Sequence, residues 1–268
     1  MKVIREICVA GNCIDVSVRV PSGHHNSKRS PKRYITAEKV QQNNDRMAVK
    51  KLTRLMNANF SSEGYHFTLT YENEPDLKEA KKELDRFIKR MGYQMKREGK
   101  EFKWIVATES KGHRIHHHFI SNASKELAEA KWKAGLVFAQ PLNNNPNRNK
   151  LANYIIKESQ NTFREEETPF RTRYSHSRNL KVPEVKVEQV NESYLWDDPQ
   201  PFKGYYIDKD TVRRYEHPIT GLDYLEYMMI SETAKPARKS YNRGKVKRRE
   251  ENYSKYINYE EEQQVLPF

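Results

Sequence analysis

Two segments near the middle of the chain restrict its folding more than any others. FKWIVATE (102–109) and RIHHHFI (114–120) both read as strands, and only the four-residue SKGH loop separates them. A connection that short cannot carry the crossover that a parallel pair needs, so the two must lie antiparallel. YHFTLTY (65–71) adds a strand with Tyr65, Phe67, Leu69 and Tyr71 on one face. Helical patterns fill the intervals. One runs from Thr36, a candidate N-cap with Glu38 behind it, to about Asn59. Its apolar stripe is Val40, Met47, Leu52, Leu55 and Met56. A second, Asp76–Lys96, turns Leu84, Phe87, Ile88 and Met91 inward; a third covers Ser124–Ala134 and ends at Gly135 before the strand-like LVFA. After the loop NNNPNRN comes a short helix from Asn149 to Glu158. Strands and helices do not alternate strictly, so the expected class is α+β: a central antiparallel sheet with flanking helices on one side and a smaller C-terminal extension.

Four regions follow. Residues 1–35 hold a hairpin, in which Ile14, Val16, Val18 and Val20 alternate with polar residues after the Ala10-Gly11-Asn12 turn, and a basic connector. Residues 36–190 form the main domain. Residues 191–234 form a β-rich extension, with strand patterns at 203–208 and 222–230 after the one at 183–190. Residues 235–268 form a tail whose segment 235–249 has eight basic side chains and no acidic one, a composition expected to be disordered in isolation.

Charge narrows the function. Lys and Arg number 49 against 36 Asp and Glu, a net +13, and aromatic residues make up 11%. That balance favours a polyanion, nucleic acid ahead of an anionic membrane. Lys28, Arg29, Lys32 and Arg33, with the 235–249 tract, are candidate phosphate contacts, and so are His66, Thr68 and Thr70 on the polar face of the 65–71 strand. A solubilising basic run and a solvated sheet face account for the same residues. No apolar run approaches the ~20 residues of a membrane span or a secretory signal. Two cysteines, Cys8 and Cys13, cannot make a disulfide framework, and the expected location is the cytoplasm.

His116, His117 and His118 carry the most specific chemistry. Strand alternation projects His116 and His118 to one face and His117 to the other, between Ile115 and Phe119. Glu109 ends the preceding strand, and the hairpin brings its carboxylate to the two imidazoles. Two His and one carboxylate make a mixed N/O site with open positions, suited to Mn²⁺ or Mg²⁺ acting on a phosphate. Taken alone, the run is equally a polar strand. In LANYIIKES, Tyr154 and Lys157 are three apart on a helix and share a face, a pairing also common by chance.

In sum, FTLTY, a His-x-His strand and YxxK on a helix, in this order, resemble the three motifs of HUH endonucleases. Within that group the chain resembles single-tyrosine rolling-circle replication initiators of bacterial plasmids, integrated elements and single-stranded DNA phages. LTRLMNANF, TESKGHRIHHHFI, KWKAGLV and SRNLKVPEV extend the resemblance over roughly residues 36–190. It implies His116, His118 and Glu109 as metal ligands, Tyr154 as the nucleophile that stays on the 5′ phosphate, and Lys157 as its assistant. Single-stranded or hairpin origin DNA would be the substrate, in a bacterial host that supplies helicase and polymerase. His117 departs from the pattern, which has an apolar residue there. The tyrosine follows the histidines, unlike conjugative relaxases, and Glu158 stands where a two-tyrosine initiator repeats its tyrosine. A single-tyrosine transposase and a non-enzymatic DNA-binding regulator are the alternatives. The terminal QQVLPF resembles a bacterial sliding-clamp-binding hexapeptide, with Gln263, Leu266 and Phe268 as its anchors.

Overall fold

The computed structural model describes residues 2–21, 38–60, 62–110, 114–142, 146–160 and 162–234. Thr36, Lys28, Arg29, Lys32, Arg33, Gln263, Leu266 and Phe268 lie outside the described residues. The chain forms β1 (Val3–Ala10), β2 (Cys13–Arg19), α1 (Glu38–Asn59), β3 (Tyr65–Thr70), α2 (Leu77–Arg97), β4 (Trp104–Glu109) and β5 (His116–Ser121). There follow α3 (Lys125–Lys131), β6 (Val137–Pro141), α4 (Asn149–Ser159), β7 (Ser175–His176), β8 (Val185–Val190), β9 (Tyr205–Glu216) and β10 (Asp223–Ser231). The class is α+β, and no helix among the described residues is long and apolar enough to cross a membrane.

The central sheet has the order β6-β3-β5-β4-β7, with every neighbour antiparallel and the His strand in the middle. Helices cover both of its faces rather than one. The reason lies in β4 and β5, which alternate apolar residues to both sides, so each side needs a cover. Phe67, Leu69, Val106 and Phe119 pack on Leu84, Phe87 and Met91 of α2 and on Trp132 after α3. On the opposite face Ile105, Ala107 and Ile120 meet Leu52, Leu55 and Met56 of α1 and Ala152, Ile155 and Ile156 of α4. Met47, placed in the stripe of α1 by periodicity, is exposed.

A second antiparallel sheet has the order β8-β1-β2-β10-β9. The N-terminal hairpin and the strands of the 191–234 segment are thus parts of one sheet: Val16 of β2 pairs with Tyr227 of β10, and Ile4 of β1 with Gln189 of β8. Its contact with α1 is ionic. Arg46 and Lys50 reach Glu226 at 3.0 and 2.7 Å, and Arg54 reaches Asp15 at 2.6 Å. Burial opposes ionisation of Glu226, but Lys50 and Arg46 outweigh it and hold the carboxyl below its usual range.

Helix α3 stops at Lys131, short of Gly135, because the chain must turn back to pair with the end of β3. Thr70 N–H donates to Leu136 O at 3.0 Å and Glu72 N–H to Ala134 O at 2.8 Å. A Cβ on Gly135 would stand 2.3 Å from Thr70 O and 2.7 Å from Glu72 N, so this position accepts glycine only. Gly135→Ala should therefore destabilise by about 1–3 kcal/mol, lowering Tm by several degrees. Gly99→Ala, where nothing lies within 4 Å of the added Cβ but φ is +68°, carries only the backbone strain and serves as comparison in the same thermal melts.

Candidate metal centre

Strand register assembles the centre. β5 pairs with β4 so that Glu109 is opposite His116, and with β3 so that His116 is opposite Thr70 and His118 opposite Thr68. Glu109, His116 and His118 thereby share a face, and their ligand atoms lie within 4.8 Å of one another. Glu109 Oε2 is 2.9 Å from His116 Nε2 and 3.4 Å from His118 Nε2. Glu109 and His118 are buried and His116 is half-buried.

The outer nitrogens fix both rings. His116 Nδ1 lies 2.9 Å from the Arg114 carbonyl, which makes Nδ1 the N–H donor and turns the Nε2 lone pair to the centre. His118 Nδ1 is 3.3 Å from His66 Nε2, and those two rings stack with centroids 5.4 Å apart. His66 is therefore buried behind a ligand and not a surface contact for DNA phosphate: α1, α4 and its β-strand neighbours close over that end of the face. Thr68 and Thr70, on the same face, remain half-buried, and Thr70 Oγ1 donates to Leu136 O at 3.3 Å.

Electrostatics agree with a cation site. Burial raises the cost of charging Glu109, yet the hydrogen bonds and charges of His116 and His118 hold its carboxyl well below the usual range. Burial likewise disfavours the charged form of His116, but Glu109 outweighs it and lifts that pKa. His118, more deeply buried, is pushed down. With no ion bound, the proton on His116 occupies the charge that a divalent ion would supply. Two imidazole nitrogens with their outer N–H positions already engaged, and one ionised carboxylate, form a donor set that fits such an ion.

His117 points to the other face, as alternation requires. It is wholly buried, with Nε2 2.8 Å from Tyr71 Oη and Nδ1 2.9 Å from Thr108 Oγ1, and its ring meets Trp132 edge-on. Burial first, then the charges of His116 and His118, bring its pKa down to about 3.

Helix α4 delivers Tyr154 to the ligand face. The Tyr154 ring lies edge-on to His118 with centroids 5.0 Å apart and is 45% exposed. Both ends of the helix are tied down: Arg148 N–H donates to Asn57 Oδ1 of α1 at 3.0 Å, and Ser110 N–H, next to Glu109, donates to Thr162 Oγ1 at 2.9 Å. Burial raises the Tyr154 pKa, and the charges of Glu109 and Glu158 raise it further. Glu158 also acts on His116, so it belongs to the centre; its place one turn beyond Tyr154 is the signal that could have found it. Lys157 is exposed and lines a separate 390 Å³ cavity with Arg46, Asn153, Gln160 and Arg213.

Residues 64–163 match the family of replication-associated proteins of the ORF2 type. The matched segment runs from β3 through α4 and contains Glu109, all three adjacent histidines, Tyr154 and Lys157. No curated protein and no solved structure matches the chain significantly. The segment similar to replication-associated proteins is thus the one that builds the metal centre, and the two observations concern the same residues.

The two faces of β5 should separate by mutation. His116→Ala and His118→Ala should lose Mn²⁺ uptake in calorimetry while melting near the parent temperature. His117→Ala should bind Mn²⁺ but lose about 2–4 kcal/mol of stability, through its cavity and the stranded Tyr71 and Thr108 hydroxyls. Acid should also destabilise the fold. His66 and His117 are held near pKa 3 by burial, against an ordinary 6.5, so between those values the unfolded chain binds more protons. Their contribution is complete above pH 6.5 and is lost as pH falls toward 3. Urea unfolding across that interval should show stability rising with pH, with a shallower slope in His117→Gln.

Proposed function

We propose that this protein initiates rolling-circle replication by nicking and joining single-stranded origin DNA through a 5′-phosphotyrosine link to Tyr154. The observation that carries this reading is the placement of Tyr154 against His118, on the sheet face that holds Glu109 and His116. The replication-associated match over the same segment supports it.

Tyr154 Oη attacks the scissile phosphorus, and the bond from phosphorus to the 3′ oxygen breaks. The phenol gives up its proton, the departing 3′ oxygen gains one, and the 5′ phosphate stays on the tyrosine. The phosphodiester energy is kept in that link, so attack by a free 3′ hydroxyl reverses the step and joins strands without ATP. A phenol whose pKa is raised by burial and two carboxylates is a poor nucleophile at neutral pH, so positive charge has to offset Glu109 and Glu158 during attack. Mn²⁺ or Mg²⁺ held by Glu109, His116 and His118 would supply that charge and polarise the phosphate. Lys157, on the next turn, would stabilise charge on the strand as it develops. His66 and the Arg114 carbonyl keep the two imidazoles aimed. Host helicase and polymerase would act on the freed 3′ hydroxyl, with Gln263, Leu266 and Phe268 of the tail as anchors on a sliding clamp.

With Mn²⁺ and a labelled single-stranded origin library, the parent protein should form an adduct that survives boiling in detergent. Tyr154→Phe should form none, with DNA affinity nearly unchanged, since only the attacking oxygen is removed. Absence of any adduct from the folded parent, or an adduct from Tyr154→Phe, would overturn the assignment.

A further inference from the structure

Strand β6 places a large aromatic ring on the same sheet face as the metal ligands. Val137 and Ala139 of this edge strand pack into the core under α2, and Phe138 between them points the other way, where it is 57% exposed. Pairing fixes its position: Phe138 is opposite Thr68, and Thr68 is opposite His118, so the three form one row across the sheet. Two strand spacings put the Phe138 backbone about 10 Å from that of His118. Packing of the strand does not require this ring, because Val137 and Ala139 supply it.

We propose that Phe138 is a stacking platform for an unpaired base of the DNA strand that passes over the metal centre. The inference rests on the nicking function proposed above and adds to it a residue that positions the substrate. An unpaired base offers a flat π face, which an exposed phenyl ring accepts whatever the sequence. Around the ring the face is polar: Thr68 lies beside it and Gln140 two residues along, where a protein helix would need an apolar groove. Leu136, also exposed, widens the apolar support at the sheet edge without making such a groove. The net charge of +13 favours a partner that brings phosphates with its bases. A base seated on Phe138 would fix the strand on one side of the scissile phosphate, as Tyr154 approaches from α4 on the other side of His118.

The test uses the full chain with no divalent ion added, so that binding is read apart from cleavage. The probes are short oligothymidylates carrying 2-aminopurine at one position in turn. The parent protein should quench the fluorescence at one or two adjacent positions. Phe138→Ala should abolish that quenching and weaken binding about tenfold, with Mn²⁺ uptake and Tm unchanged. Phe138→Trp should restore both signals. Parent-like quenching and affinity in Phe138→Ala would overturn the platform, and if the parent still forms the Tyr154 adduct, the nicking function stands without it. A parent protein that binds no oligonucleotide would overturn both.

Discussion

The buried imidazole of His117 fixes the register on which the rest of the centre depends. Its two ring nitrogens meet Tyr71 Oη from beyond the end of β3 and Thr108 Oγ1 from β4, so a polar group at the middle of the sheet is fully matched on the core side. A slip of β5 by one residue would bury His116 and His118 under α2 and turn His117 outward, leaving several polar groups without partners. The cost of that slip is what keeps Glu109 opposite His116. The histidine that takes no part in ligation is the one that specifies where the ligating pair stands.

On the ligand face the corresponding task falls to α1 and α4. Helix α1 meets the central sheet with Leu52, Leu55 and Met56 and the second sheet with Arg46, Lys50 and Arg54. Its side chains therefore divide between an apolar contact, which supplies stability, and an ionic one, which supplies orientation more than energy. Helix α4 inherits that placement through Asn57 and is held again at its far end by Ser110 and Thr162. Tyr154 is thus rigidly placed although its ring is half open to solvent, a combination suited to a group that must meet a large substrate.

Much of this is legible in the sequence wherever the decisive signal is local. Strand alternation assigns His116, His118 and Glu109 to one face and His117 to the other without knowledge of any neighbour. Alternation also puts His66 on the ligand face, but it gives side and not depth. The burial of His66 behind His118 comes from helices and a strand that lie far away in the chain. Helices on both sides of the sheet escape the sequence for a related reason, since apolar residues on both faces of β4 and β5 are visible only once the pairing is known. Glu158 reads as a missing tyrosine; its closeness to His116 depends on where α4 is tied. Phe138 reads as one apolar residue in LVFA, and only the pairing of β6 with β3 shows which way it faces. The association of β1 and β2 with β10 has no local signal at all.

That last pairing has a consequence for the order of assembly. Residues 13–19 find their partner in residues 223–231, so the second sheet closes across nearly the whole length of the chain. During synthesis the central sheet, α1 and α4 are complete long before β10 leaves the ribosome. Until then Arg46 and Lys50 lack Glu226, and the nascent chain carries a cationic helix whose charge is only partly offset. Contacts of such long sequence separation form slowly. The segment that builds the metal centre is therefore in place first, and the charged seam beside it is sealed as the last step of folding.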